Sequence, residues 1–159
     1  ALARMLAAGG ARVIVSDIDE GKRALAAELP GATWMSPGEA LLADVDVLAP
    51  CALGGVLDET TVPRLRAAIV CGAANNQLAH DALAEDLARR GIVYAPDFVA
   101  NAGGLIHVAA ELEGTDPRER TLDIEALTGR ILDEAAGTGV TPLAAAYAIA
   151  ERRLDPATV

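Results

Sequence analysis

Short runs of consecutive apolar residues recur along the first hundred positions, and each gives way to a polar or Gly/Pro-rich stretch. They are RVIVS at 12–16, a weaker TWM at 33–35, VDVLA at 45–49, AIVC at 68–71 and IVYA at 92–95. A short apolar, β-branched run bounded by turn formers reads as a strand covered on both faces. Between the runs the apolar spacing changes to that of a helix. Leu2 and Leu6 share a face over 1–8, which Gly9 and Gly10 end. Residues 18–29 read as a helix, and Ser36-Pro37 opens a short one that runs to Leu42. Residues 58–65 carry turn signals and at most one helix. Leu83 and Leu87 line one side of a helix over 78–90, closed by Gly91. After residue 100 the strands stop. Helices are predicted over 101–112 and 118–136, separated by the turn Gly114-Thr115-Asp116-Pro117. A last helix opens at Thr141-Pro142, carries Leu143, Ala146, Tyr147 and Ile149, and ends on Arg152 and Arg153 before Asp155-Pro156 stops it.

Strictly alternating strands and helices predict an α/β fold, with a mostly parallel sheet covered by helices on both faces. In such sheets ligands bind beyond the carboxyl ends of the strands. The turns that matter therefore begin at Asp17, Pro50, Gly72 and Pro96. A helix that begins at residue 1 without an N-cap points to sequence missing upstream.

Composition narrows the chemistry. The 159 residues are 52% hydrophobic but only 3% aromatic, so the core is built from Ala, Val, Leu and Ile. Thirteen Lys and Arg against 23 Asp and Glu give a net charge of −10, which argues against non-specific nucleic-acid binding. No apolar run approaches membrane-spanning length and no signal peptide is visible, so a cytoplasmic protein with no membrane partner is expected. Cys51 and Cys71 make neither a disulfide framework nor a zinc site, and His80 and His107 have no metal-spaced partner, so no metal is expected.

Four strand-end turns hold the candidate residues. Asp17 ends the first strong strand, where an acidic residue accepts hydrogen bonds from an adenosine ribose and repels a 2′-phosphate; the bland reading is a cap on the helix starting near Ile18. A GxGxxG loop belongs about 20 positions earlier, at or just before residue 1, and is absent. The small-residue turn Ala49-Pro50-Cys51-Ala52-Leu53-Gly54-Gly55 lets a flat ligand approach the backbone. Cys51 lacks a nearby His and reads as a small hydrophobe rather than a nucleophile. In Gly72-Ala73-Ala74-Asn75-Asn76-Gln77 the amides are either turn formers or hold a ribose or carboxamide. Gly103 and Gly104, placed just inside a helix start, imply a close approach to the backbone. Asn101, Leu105 and Val108 are then expected on one helix face, offering one amide and two apolar side chains to a ligand.

The series VIVSDID, DVLAPCALGGV, IVCGAANNQL and YAPDFVANAGGLI resembles the NAD-binding half of the Glu/Leu/Phe/Val amino-acid dehydrogenases, in order and over nearly the whole chain. The resemblance implies a Rossmann-type, doubly wound domain lacking its first strand, with NAD along the strand ends. It implies an enzyme for reversible oxidative deamination of an L-amino acid to a 2-oxo acid and ammonia. Residues 1–136 would be the NAD-binding domain, and 137–159 a helix packing on or spanning towards the missing substrate domain.

Under this resemblance Asp17 and the adjacent Ile18 meet the adenosine ribose, and Cys51, Ala52 and Leu53 lie over the adenosine side. Ala73 and Asn75 lie near the nicotinamide ribose. Asn101 approaches both nicotinamide and substrate, and Leu105 and Val108 line the side-chain pocket. Glutamate-specific relatives tend to carry a hydroxyl at the position of Val108, where it binds the distal carboxylate. An apolar Val cannot replace it, and a buried carboxylate without a donor is heavily penalised. A leucine-, valine- or phenylalanine-type substrate is therefore expected, along with a homo-oligomer when full length. The catalytic residues belong to the missing N-terminal domain, so this segment by itself is expected to be inactive. The competing reading is a non-catalytic nucleotide-binding or interaction module.

Overall fold

The computed structural model describes residues 1–154. The stop signal expected at Asp155-Pro156 lies outside the described residues. The chain divides into two compact units, Ala1–Asp44 and Val45–Val159.

The first unit runs α1 (Leu2–Ala8), β1 (Ile14–Val15), α2 (Arg23–Ala27), β2 (Thr33–Trp34) and α3 (Pro37–Leu41). The two strands pair in parallel, with Ile14 opposite Thr33 and Val15 opposite Trp34. The helix expected over 18–29 is cut to five residues, preceded by a 3₁₀ turn at Glu20–Lys22. The cause is local. Asp17 Oδ1 accepts from Asp19 N at 3.0 Å and Asp19 Oδ1 from Gly21 N at 2.9 Å. Such side-chain bonds to the backbone compete with helical ones. Helix α3 opens as expected at Ser36-Pro37, where the Glu39 carboxylate accepts from both Ser36 N (3.1 Å) and Ser36 Oγ (2.6 Å). Ala26 is the one described residue of this unit that is fully withdrawn from solvent.

The second unit holds β3 (Val47–Leu48), β4 (Ile69–Val70) and β5 (Val93–Tyr94) in one parallel sheet, in that order. Leu48 lies opposite Val70, and Val70 opposite Tyr94. Helix α4 (Leu83–Arg89) makes the crossover from β4 to β5 and buries Leu83 and Leu87. With Leu57, Val62, Leu65 and Val70 they form an aliphatic core, as the scarcity of aromatics requires. A 3₁₀ turn at Val62–Arg64 occupies the region where turn signals left room for one helix.

The predicted helix over 101–112 does not start at Asn101. A four-residue α5 (Asp97–Ala100) comes first, Asn101 ends it at φ −99° and ψ 8°, and α6 (Gly103–Glu113) begins two residues later. Gly103 and Gly104 propagate a helix poorly, and the Asn101 amide is drawn off to the neighbouring turn. Asn101 therefore does not share a helix face with Leu105 and Val108; those two lie together on α6. Helix α7 (Pro117–Thr138) starts at Asp116, which accepts from Arg118 N at 2.9 Å, and ends at left-handed Gly139. Helix α8 (Pro142–Leu154) is capped by Thr141 Oγ1 accepting from Ala144 N at 3.2 Å. Ile131 and Ala135 of α7 pack with Ala145 and Ala146 of α8 and with Val99. Arg152 closes the pair with two bonds to Glu134 at 2.8 and 2.7 Å. Among the described residues no helix is long and apolar enough to cross a membrane.

Candidate functional site

The turns that follow β3, β4 and β5 meet at the carboxyl edge of the sheet. Two of them touch through backbone. A Cβ added at Gly72 would fall on the Pro50 carbonyl oxygen and lie 2.6 Å from Pro50 N. One added at Gly54 would lie 2.6 Å from Asn75 O and 2.9 Å from Asn76 O. Only glycine permits that approach. It lets Ala74 N donate to Pro50 O at 3.0 Å and Gly55 N to Asn76 O at 2.7 Å. Asn76 takes the left-handed conformation, φ 51°, which Asn tolerates better than most residues.

The third turn is tied in by two polar links. Asn101 Nδ2 donates to Asn75 Oδ1 at 2.6 Å and reaches Ala74 O at 3.4 Å. Beneath them lies a buried set that sequence reasoning missed. Gln77 is fully buried. Its Nε2 donates to Gly72 O (2.8 Å) and Ala74 O (3.0 Å), and its backbone N to Asp97 Oδ2 (2.7 Å). Asp97 N in turn donates to the Tyr94 hydroxyl at 3.3 Å. Burial, and then the negative Asp97 beside it, pushes the Tyr94 hydroxyl well above the usual phenol range. Gln77 Oε1, although buried, has no partner among the described residues. The sequence signal was present in weak form: an Asp directly after the Pro that ends an apolar strand, and an amide opening the next apolar stretch.

The structure thus brings Cys51, Ala52, Leu53, Ala73, Asn75 and Asn101 onto three adjoining turns of one unit. All are exposed except Asn101, which is half-buried. Leu105 and Val108 lie further along α6, 75% and 52% exposed. Among the described residues nothing crowds Gly103 or Gly104. Asp17 and Ile18 belong to the first unit, at the carboxyl end of β1. Asp17 is not the helix cap of the bland reading; Asp19 caps the turn. Its Oδ2 accepts from Lys22 Nζ at 2.7 Å. That bond, followed by the Asp19 amide, holds its carboxyl below the usual range, so it is an anion. Burial and then the neighbouring Cys51 raise the Cys71 thiol, and both cysteines are free. Among the described residues no cluster of His, Cys, Asp and Glu could hold a metal.

Glycine-packed turns with exposed amides at the carboxyl edge of a parallel sheet suit a nucleotide. Comparison with known proteins agrees. Residues 8–153 match the family model described as Glutamate/Leucine/Phenylalanine/Valine dehydrogenase. The chain is 46% identical to a valine dehydrogenase of Streptomyces albus over 98% of its own length and 44% of that protein. It is 40% identical to a leucine dehydrogenase of Bacillus cereus, over 96% and 43%. The solved structure of L-tryptophan dehydrogenase from Nostoc punctiforme superposes with a TM-score of 0.89 at 42% identity, covering 97% of this chain and 48% of that one. The chain spans under half the length of the relatives it matches. On this match over nearly its whole length, it belongs to the Glutamate/Leucine/Phenylalanine/Valine dehydrogenase family.

Proposed function

We propose that this chain is the nucleotide-binding part of an NAD-dependent dehydrogenase acting on an apolar L-amino acid of the leucine, valine or phenylalanine type. The balanced reaction is L-amino acid, NAD⁺ and water giving 2-oxo acid, ammonium, NADH and a proton. The observation that carries the reading is the glycine-packed edge at which Asn75 and Asn101 are hydrogen-bonded side by side.

The residues present fit the nucleotide. A carboxylate has about four lone-pair sites; Asp17 uses two, on Asp19 N and Lys22 Nζ, and keeps the others for a ribose diol. In the second unit, the turns after β3, β4 and β5 offer Cys51, Ala52 and Leu53 as a small-residue surface for the adenosine half, and Ala73, Asn75 and Asn101 for the nicotinamide half. The bound nucleotide supplies the hydride acceptor. The chain's part is to bind, to orient and to exclude water. Asn101 directs both amide hydrogens at the neighbouring turn and would hold a carboxamide or substrate group by accepting at Oδ1. Leu105 and Val108 offer apolar surface to a side chain, with no donor for a distal carboxylate. The names of the relatives, valine, leucine and L-tryptophan dehydrogenase, support an apolar substrate.

Residues 1–136 would form the NAD-binding domain, and 137–159 would lead towards a substrate domain that holds the proton-transfer residues. The whole protein would be a cytoplasmic homo-oligomer, and these 159 residues alone would be inactive. The test is turnover by the full-length protein with L-leucine, L-valine, L-phenylalanine and L-glutamate, each with NAD and NADP. Ammonium and NADH released one to one, with an apolar amino acid preferred, is the expected result. Preference for glutamate, or nucleotide binding without turnover, would overturn it.

A further inference from the structure

We infer that Gln77 is a positioning residue for the nicotinamide half of the nucleotide site, acting through the turn it clamps; this rests on the function proposed above. Gln77 is fully buried, yet its side chain makes no bond that stabilises the sheet. Both of its amide hydrogens go to carbonyls of one turn, Gly72 O at 2.8 Å and Ala74 O at 3.0 Å. Ala74 lies next to Asn75, whose Oδ1 receives Asn101 Nδ2 at 2.6 Å, and Ala74 O is itself approached by Asn101 at 3.4 Å. Asp97 fixes the other side of the clamp by accepting Gln77 N at 2.7 Å, four residues before Asn101. The clamp thus holds the exposed Asn75 amide and the half-buried Asn101 amide in register from below without touching a ligand. Two carbonyls facing a buried site need donors, and no other side chain supplies one to Gly72 O among the described residues. Without the clamp Gly72 O loses its side-chain donor, and the turn is left with its backbone bonds to Pro50, Gly55 and Leu57, the Asp97 bond to the backbone N of residue 77 and the Asn101 side chain, so the Asn75 to Asn101 spacing is less tightly fixed.

The experiment compares the full-length wild-type enzyme with Gln77→Met and Gln77→Glu, measuring KM for NAD, KM for the amino acid and kcat separately. Gln77→Met keeps the volume and loses both donors. KM for NAD is expected to rise about tenfold, as for one buried polar group left unpaired, with KM for the amino acid changed less than about twofold. Leu87→Ala opens a cavity under the buried side of α4 and serves as the destabilised control, with KM for NAD unchanged. Gln77→Glu adds a pH readout. The introduced carboxyl donates to a carbonyl only while protonated, so KM for NAD is expected near wild type at acid pH and to climb as pH rises. This variant also decides the matter if Gln77→Met does not fold. Wild-type KM for NAD in Gln77→Met, or in Gln77→Glu a pH profile parallel to wild type, overturns the inference. A wild-type enzyme that does not use a nicotinamide nucleotide sinks the proposed function instead, so the two failures are distinct.

Discussion

Replacing Gly72 by alanine strikes the point where the turns after β3 and β4 touch. The added Cβ would meet three Pro50 atoms: the carbonyl oxygen, N at 2.6 Å and Cδ at 2.7 Å. Two of these are backbone, and the third sits on a ring that cannot rotate away, so the strand ends must separate. Overpacking of this kind costs about 1–3 kcal/mol. Separation also strains Ala74 N to Pro50 O and Cys71 N to Leu48 O, both 3.0 Å, at about 1 kcal/mol each. The sum, about 3–5 kcal/mol, is a large share of the usual 5–15 kcal/mol of stability. The assay is urea denaturation of the full-length protein followed by circular dichroism, with Gly103→Ala as control. Gly103 lies in α6 with no atom near its missing Cβ, so alanine there should be neutral or stabilise by up to about 1 kcal/mol. A Gly72→Ala midpoint equal to wild type would refute the close approach of the two turns.

Asp17→Ala in the full-length enzyme should weaken NAD binding and raise the acceptance of NADP, because it removes an anion and leaves Lys22 unpaired beside the sugar; the ratio of kcat/KM for the two nucleotides reads it. Val108→Ser should lower kcat/KM for branched-chain amino acids by up to about tenfold, as expected when an apolar wall gains a hydroxyl. Asp58 is held down to about 2, first by the Thr60 hydroxyl and then by the Thr61 amide. A carboxyl lowered in the folded state stabilises above its unfolded pKa and loses that contribution as pH falls through the folded one. The stability gap between wild type and Asp58→Asn should therefore close between about pH 4 and pH 2, read as denaturation midpoints against pH.

All five expected strands exist, because continuous apolar runs between turn formers leave the chain little else to do. Each strand is two residues long, and the interstrand bonds reach one residue further, as in Cys71 N to Leu48 O and Ala95 N to Val70 O. The turns at Pro50, Gly72 and Pro96 were legible for the same reason: they interrupt burial. The break at Asn101 was not legible. It follows from a tertiary bond, Asn101 to Asn75, between residues 26 apart, and local propensity alone could not prefer a four-residue helix over continuing one. Gln77 was legible as one of the amides of its turn, but its buried bonds to Gly72 O, Ala74 O and Asp97 were not, because burial of a polar side chain shows only when its partners are in place. The reading of Asp17 as a cap failed because Asp19, two residues on, does that work.

If the edge formed by the turns after β3, β4 and β5 holds the nicotinamide half of NAD, a crystal structure of the full-length protein with NAD bound will show it there. The nicotinamide and its ribose are expected against Ala73, Asn75 and Asn101, with the Gln77 clamp intact beneath them. A nicotinamide ring bound elsewhere, with Asn75 and Asn101 left without a ligand, would overturn this assignment.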